Sequence, residues 1–145
     1  MLTKRRVVAA KAESTEGTAE TLTTAEGGIL AIDPKVDVDI AMHERNPAKA
    51  SLGKFAALAG SRKASISFKV EVKGAGSAYS SSNLPALDTY LLACGMGSTL
   101  VVTPGSETVT YVPASTGVSS ITIGCYEDGV LKVIKGARGN CRITM

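Results

Sequence analysis

His43 is the single histidine of the chain and stands beside Glu44. A general base needs a nucleophile and an orienting partner within hydrogen-bond reach. No Ser or Cys here lies in a nucleophile-elbow pattern such as Gly-x-Ser-x-Gly. One histidine without a Cys-x-x-Cys pair supplies no zinc ligand set either. Gly74-Ala75-Gly76 opens like a dinucleotide-binding fingerprint, but Tyr79 stands where the third glycine belongs and no helix starts there. Gly60-Ser61-Arg62-Lys63 resembles a phosphate-binding loop only superficially, because the lysine does not directly follow the glycine and no Ser or Thr follows the lysine. Nucleic-acid recognition would want basic residues interleaved with stacking aromatics, and two Phe and four Tyr are scattered without forming such a platform. The residues point away from catalysis. No catalytic, cofactor-binding or metal residue is assigned, and His43 reads as a surface or interface residue.

Three cysteines, at 94, 125 and 141, are odd in number and widely spaced. That pattern suits free thiols in a reducing cytoplasm, packed as small buried hydrophobes. A length of 145 residues allows one domain with a modest core. The abundance of Val, Ile, Thr, Ser and Gly, with no Trp, favours strands over helices. No run approaches the 18 apolar residues of a membrane span, and Val7–Ala10 is too short for a signal-peptide core.

Charge is unevenly placed. Residues 13–45 carry eight acids against two bases (net −6), and the remainder has 14 bases against five acids (net +9). Solvated faces that happen to differ in sign would give this split. So would head-to-tail self-association, with the acidic surface of one copy against the basic surface of the next.

The elements that would carry these residues are mostly strands. Arg6–Glu13 opens with a strand, and Ser14–Gly28, which lacks apolar periodicity, reads as a loop or mobile arm. Asp33-Pro34 predicts a turn after the short apolar stretch Ile29–Ile32. Lys35–Ile40 alternates, with Val36, Val38 and Ile40 on one face and Lys35, Asp37 and Asp39 on the other. Ala64–Lys73 is the clearest strand. Between these two lies Ala41–Lys63, with the apolar cluster Phe55-Ala56-Ala57-Leu58 and the bases Arg45, Lys49, Lys54, Arg62 and Lys63. Long connections are more often functional than accidental. This one reads either as an ordered flap over a barrel end or as an arm reaching a neighbouring subunit, with Phe55 and Leu58 as its apolar anchor.

One helix is predicted, capped by Asn83 with Pro85 in its first turn, with Leu84, Leu87, Leu91 and Cys94 at helical spacing and Gly95 closing it. Leu100–Thr103 and Thr108–Val112 are further strands. In Ser120–Met145, Ile121, Ile123 and Cys125 alternate with Thr122, Gly124 and Tyr126. Asp128-Gly129 predicts a type I′ hairpin turn, Val130–Lys135 returns, Gly136–Asn140 turns again, and Cys141–Met145 resumes the alternation. The sum is six to eight short strands and one helix, an antiparallel β-barrel or sandwich with a short flanking α-helix.

In their order and spacing, these segments resemble the tail tube (major tail) protein family of long-tailed bacteriophages, or a relative with the tube fold. Arg5–Thr18 is similar to the family's opening strand with its Glu-x-x-x-Gly-Thr turn, here Glu13 to Thr18. Ser65–Gly76 resembles its long strand closed by Gly-x-Gly, and Leu84–Gly95 its short helix ending in Ala-Cys-Gly. Tyr111-Val112-Pro113 and Ser119–Asn140 resemble its closing hairpin, with Asp-Gly at the tip and Gly-Ala-Arg-Gly beyond.

The resemblance implies a single tail-tube-like domain over residues 1–145, without enzymatic activity or cofactor. It implies a virion protein that self-assembles into hexameric rings, which stack head to tail into the tube conducting DNA. Other tail proteins, such as the tape measure, sheath or baseplate, would be its partners, with no membrane involved. Its place would be the virion tail, and the host cytoplasm during assembly. By position, Ala41–Lys63 becomes the loop that reaches the next ring, with Arg45, Lys54, Phe55, Leu58, Arg62 and Lys63 as inter-subunit contacts. Family members usually continue past Gly-Ala-Arg-Gly with a further strand and a Phe-rich segment. Here the sequence stops at Met145, inside a strand by its own alternation, which leaves open a fragment of a longer product or a shortened adaptor, baseplate or tail-tip relative. A decoration protein binding a preformed assembly is a further alternative.

Overall fold

The structure is a computed structural model that describes residues 5–26, 29–48, 50 and 53–144. In chain order the elements are β1 (Arg6–Ala12), a 3-10 turn (Thr24–Glu26), β2 (Ala31–His43), β3 (Leu58–Val70), α1 (Asp88–Ala93), β4 (Met96–Val101), β5 (Thr108–Pro113), β6 (Ile121–Glu127) and β7 (Val130–Ala137). The protein is mainly β, with antiparallel sheets and one short helix. The described strands form three separate sheets, in the orders β1-β6-β7, β2-β3 and β4-β5, and none of them closes into a barrel. The chain divides into two compact units, one holding the described residues of Met1–Pro34 and Phe68–Met145, the other those of Lys35–Ser67.

The core of the first unit is the three-stranded sheet. Its central strand, β6, is buried along nearly its whole length. Cys125 pairs with Val8 and Ile123 with Ala10, so these four side chains share one face, all of them buried. Ala10 lines a hollow there together with residues of α1. On the other face, Thr122 is fully buried and Gly124 leaves room for Leu22, whose Cδ1 lies 2.5 Å from where a Cβ would stand. The segment after β1 is therefore seated on the sheet, not a mobile arm. The reason is polar as well as apolar: the Glu20 backbone N–H donates to Thr122 Oγ1 at 3.0 Å.

Glu13 gathers the ends of this sheet. One carboxylate oxygen accepts from Gly17 N (2.8 Å) and Ser120 Oγ (2.7 Å), the other from Thr122 Oγ1 (2.9 Å) and Gly136 N (2.6 Å). Gly17 takes φ +77°, a conformation that favours glycine, and this closes the Glu-x-x-x-Gly-Thr turn. Four donors favour the charged form. Led by the Gly136 N–H, they outweigh desolvation and hold the Glu13 carboxyl at about 2, against an ordinary 4.5. A group with a lowered folded-state pKa contributes stability above its unfolded value, and that contribution is lost as pH falls through the folded one. Glu13→Gln is therefore expected to lower the urea midpoint at neutral pH. It should also flatten the loss of stability between pH 4.5 and about 2, by roughly one proton's worth of slope. Equilibrium unfolding followed by circular dichroism across that range checks it; an unchanged slope would exclude the clasp.

A second carboxylate, Glu127, is only 8% exposed. Lys132 Nζ reaches one oxygen at 2.6 Å, and Arg6 reaches the other at 2.7 Å. Arg6 Nη1 also donates to the carbonyl of Pro34 at 3.0 Å, joining β1 to the start of β2. These contacts, led by the hydrogen bond from Lys132, hold the Glu127 carboxyl below the usual range.

Several sequence expectations are corrected here. Asp33-Pro34 does not end a strand: β2 runs through it, with Asp33 at φ 49° absorbing the irregularity. Asn83 does not cap the helix. Its amide donates to Ser77 Oγ and the Ala78 carbonyl at 2.8 and 2.7 Å, and α1 begins later, at Asp88, with six residues. The β3 strand spans Leu58–Val70, starting before and ending before the expected Ala64–Lys73. The expected strand Cys141–Met145 is absent among its described residues, and Met145 lies outside them. With Gly136 N held by Glu13, the chain turns away from β7 and Gly139 N donates to the Ala93 carbonyl at 3.1 Å. Of the cysteines expected inside, Cys125 is buried, Cys94 is half-buried and Cys141 is exposed.

Candidate interaction surface

The six residues expected at subunit contacts all fall in the second compact unit, Lys35–Ser67. Strand structure extends further than the sequence pattern indicated, so the connection between β2 and β3 is 44–57 and not the whole of Ala41–Lys63. Arg45 and Phe55 meet within this connection: the guanidinium lies 5.7 Å from the ring centroid and donates to the Ala56 carbonyl at 3.2 and 3.4 Å. Lys54 is exposed beside them. Leu58, Arg62 and Lys63 belong to β3, where Arg62 and Lys63 are neighbours and so point to opposite sides. All three are exposed, and neither base has an ion-pair partner among the described residues. Lys49 lies outside the described residues. The structure thus brings Arg45 and Phe55 together in the connection and sets Leu58, Arg62 and Lys63 along β3.

The apolar face of β2 expected from the alternation extends by one residue, to Met42, and is open. Val36, Val38, Ile40 and Met42 form one row of β2, and of these Val38, Ile40 and Met42 are largely exposed (64%, 43% and 60%). The opposite row carries Lys35, Asp37 and Asp39, with Lys35 Nζ 3.1 Å from Asp37. Gly60 explains how closely the two strands approach. A Cβ there would stand 2.6 Å from His43 Nε2 and 3.3 Å from the Ala41 carbonyl, so Gly60 shares a face with His43. By alternation, the side of the ribbon bearing Val36–Met42 then carries Ser61, Lys63 and Ser65 from β3. The alternation of β2 was the signal; that its apolar row is open was not in it.

Gly60–Lys63 is strand, not a phosphate-cradling loop, and Gly74–Gly76 is followed by a loop. An open hollow of about 310 Å³ beside α1 is lined by Ala10, Glu26, Ser82, Pro85, Asp88 and Tyr90, with no histidine or cysteine among its lining residues. Asp88 there accepts a hydrogen bond from Tyr111 at 2.8 Å, and Glu26 accepts from Thr23. Among the described residues no group of His, Cys, Asp and Glu is placed to hold a metal ion. No described helix is long and apolar enough to cross a membrane.

Comparisons with protein-family models, with curated proteins and with solved structures find no match.

Proposed function

We propose that this chain is a structural virion protein of the phage tail-tube type. It self-assembles into hexameric rings that stack into a tube conducting DNA, and the β2–β3 ribbon is the arm between subunits. The observation that carries this reading is the open ribbon. A two-stranded ribbon is marginally stable in water by itself. This one leaves Val38, Ile40 and Met42 exposed side by side on one face of β2, with Phe55 exposed in the connection and Leu58 exposed on the other face of the ribbon. Contiguous exposed apolar surface rimmed by charge marks an interaction site. The ribbon also carries both signs, with Asp37, Asp39 and Glu44 on or beside β2 and Lys54, Arg62 and Lys63 on or before β3. Such a surface suits repeated copies of one chain in heterologous contact.

The mainly antiparallel β fold and the spaced motifs that resemble the tail tube family support the same reading. In it the protein acts without catalysis or cofactor, in the virion tail after assembly in the host cytoplasm, with other tail proteins as further partners. Negative-stain microscopy of concentrated protein is expected to find six-fold rings or stacked tubes, and sedimentation a corresponding loss of monomer. A strictly monomeric protein at every concentration would sink the proposal.

A further inference from the structure

The segment after β7 crosses the end of α1. Gly139 N donates to the carbonyl of Ala93, and the position of a Cβ on Gly139 lies 3.7 Å from Cys94 Sγ. Cys94 terminates the helix, with its backbone N–H bonded to Tyr90 and Leu91 carbonyls. Two residues past Gly139 stands the exposed Cys141, close enough to Cys94 that its thiol helps to push the Cys94 thiol up. Both are free thiols within the same compact unit. The third cysteine, Cys125, is 2% exposed in the middle of β6, paired with Val8 and Lys132. We propose that Cys94 and Cys141 form a reversible disulfide that fastens the segment after β7 to the end of α1.

The exposures divide the roles. Cys141 is accessible and is the attacking thiol; Cys94 is half-buried and resolves. Burial, and then the neighbouring Cys141 thiol, push the Cys94 thiol up, which makes its thiolate less available for the first attack. The oxidant is a low-molecular-weight disulfide such as oxidised glutathione. The Cys141 thiolate attacks one of its sulfurs; that S–S bond breaks, a Cys141–glutathione bond forms, and one glutathione thiolate leaves. Cys94 then gives its proton to solvent, and its sulfur displaces the second glutathione from Cys141. Two protein thiols are oxidised to one disulfide, and one glutathione disulfide is reduced to two thiols.

The test equilibrates the full chain in glutathione redox buffers, with acid quenching, alkylation, intact mass and peptide mapping. The expected product has lost two hydrogens, yields a linked Cys94–Cys141 peptide pair, keeps Cys125 alkylatable after denaturation, and reverts with dithiothreitol. Cys94→Ser should stop at a stable glutathione adduct on Cys141. Cys141→Ser, a change at an exposed position, should show no oxidation at the same buffer ratio. In the oxidised wild type, tryptic cleavage at Arg138 and Arg142 should slow at least about fivefold, because fraying of the fastened segment is suppressed. The proposal is overturned if the wild type accumulates the Cys141–glutathione adduct as Cys94→Ser does, or cross-links only between chains. It is overturned equally if the linked protein is cut as fast as the reduced one.

Discussion

Ile123→Ala is expected to cost about 2–5 kcal/mol of folding stability, the range for truncating a buried isoleucine. Ile123 is 3% exposed at the centre of the central strand, with Ala10 opposite on β1 and Ile134 opposite on β7. Small Ala10 cannot fill the space, and the antiparallel pairing on both sides holds the backbone against collapse. The loss comprises the transfer energy of the removed carbons and a cavity term that relaxation only partly repairs. Domains of this size have about 5–15 kcal/mol in total, so the variant should unfold on the order of 10 °C lower. Exposed apolar residues provide the contrast: Val72→Ala and Ile143→Ala, at positions 79% and 65% exposed, should stay within about 0.5 kcal/mol of the parent. Thermal and urea unfolding by circular dichroism decide the matter. A cost below about 1 kcal/mol at Ile123 would mean that the β1-β6-β7 sheet is not the core.

Removing residues 46–57, with a short glycine linker in their place, is expected to leave a folded chain that forms no stacked tubes. The deletion spares β1, β6 and β7, on which the first unit depends, and takes away Phe55 and the partner of the Arg45 guanidinium. Its far-ultraviolet spectrum and cooperative unfolding should persist. Stacking should weaken by at least tenfold, about 1.4 kcal/mol, since aromatic and arginine anchors dominate interface energies. A milder pair, Phe55→Ala with Leu58→Asp, should act in the same direction. Tubes of normal length from the deleted chain would remove the ribbon from the assembly contact while leaving ring formation open.

The closing hairpin was legible because its chemistry is local. A two-residue turn of type I′ needs positive φ at both positions, and Asp128 and Gly129 adopt 49° and 85°. Asp33-Pro34 has similar local signals and was misread. There Arg6, far away in sequence, ties down the Pro34 carbonyl and the strand continues. At Asn83 the competing partners are local: its amide is committed to Ser77 and Ala78, six and five residues back, before the helix begins. A residue's preference loses wherever another partner, near or far, claims the group. The candidate surface was half legible: Phe55, Leu58 and the bases stand out by composition, and Val36, Val38 and Ile40 by alternation. Alternation reports that a strand has two faces but not which face another element covers, so the open row on β2 required coordinates.

The pairing of β1 with β6 also governs how the chain can be made. Arg6 and Glu127 are partners across 121 residues of sequence. On a ribosome adding about 5–20 residues each second, β1 emerges roughly 6–24 s before its partner strand. Through that interval Val7, Val8 and the backbone donors of β1 have no sheet to join, while β2 with β3, and β4 with β5, pair with near neighbours in sequence. Closure of this sheet is thus timed by the synthesis of β6, and until then the nascent chain carries an unmatched edge that other chains can reach.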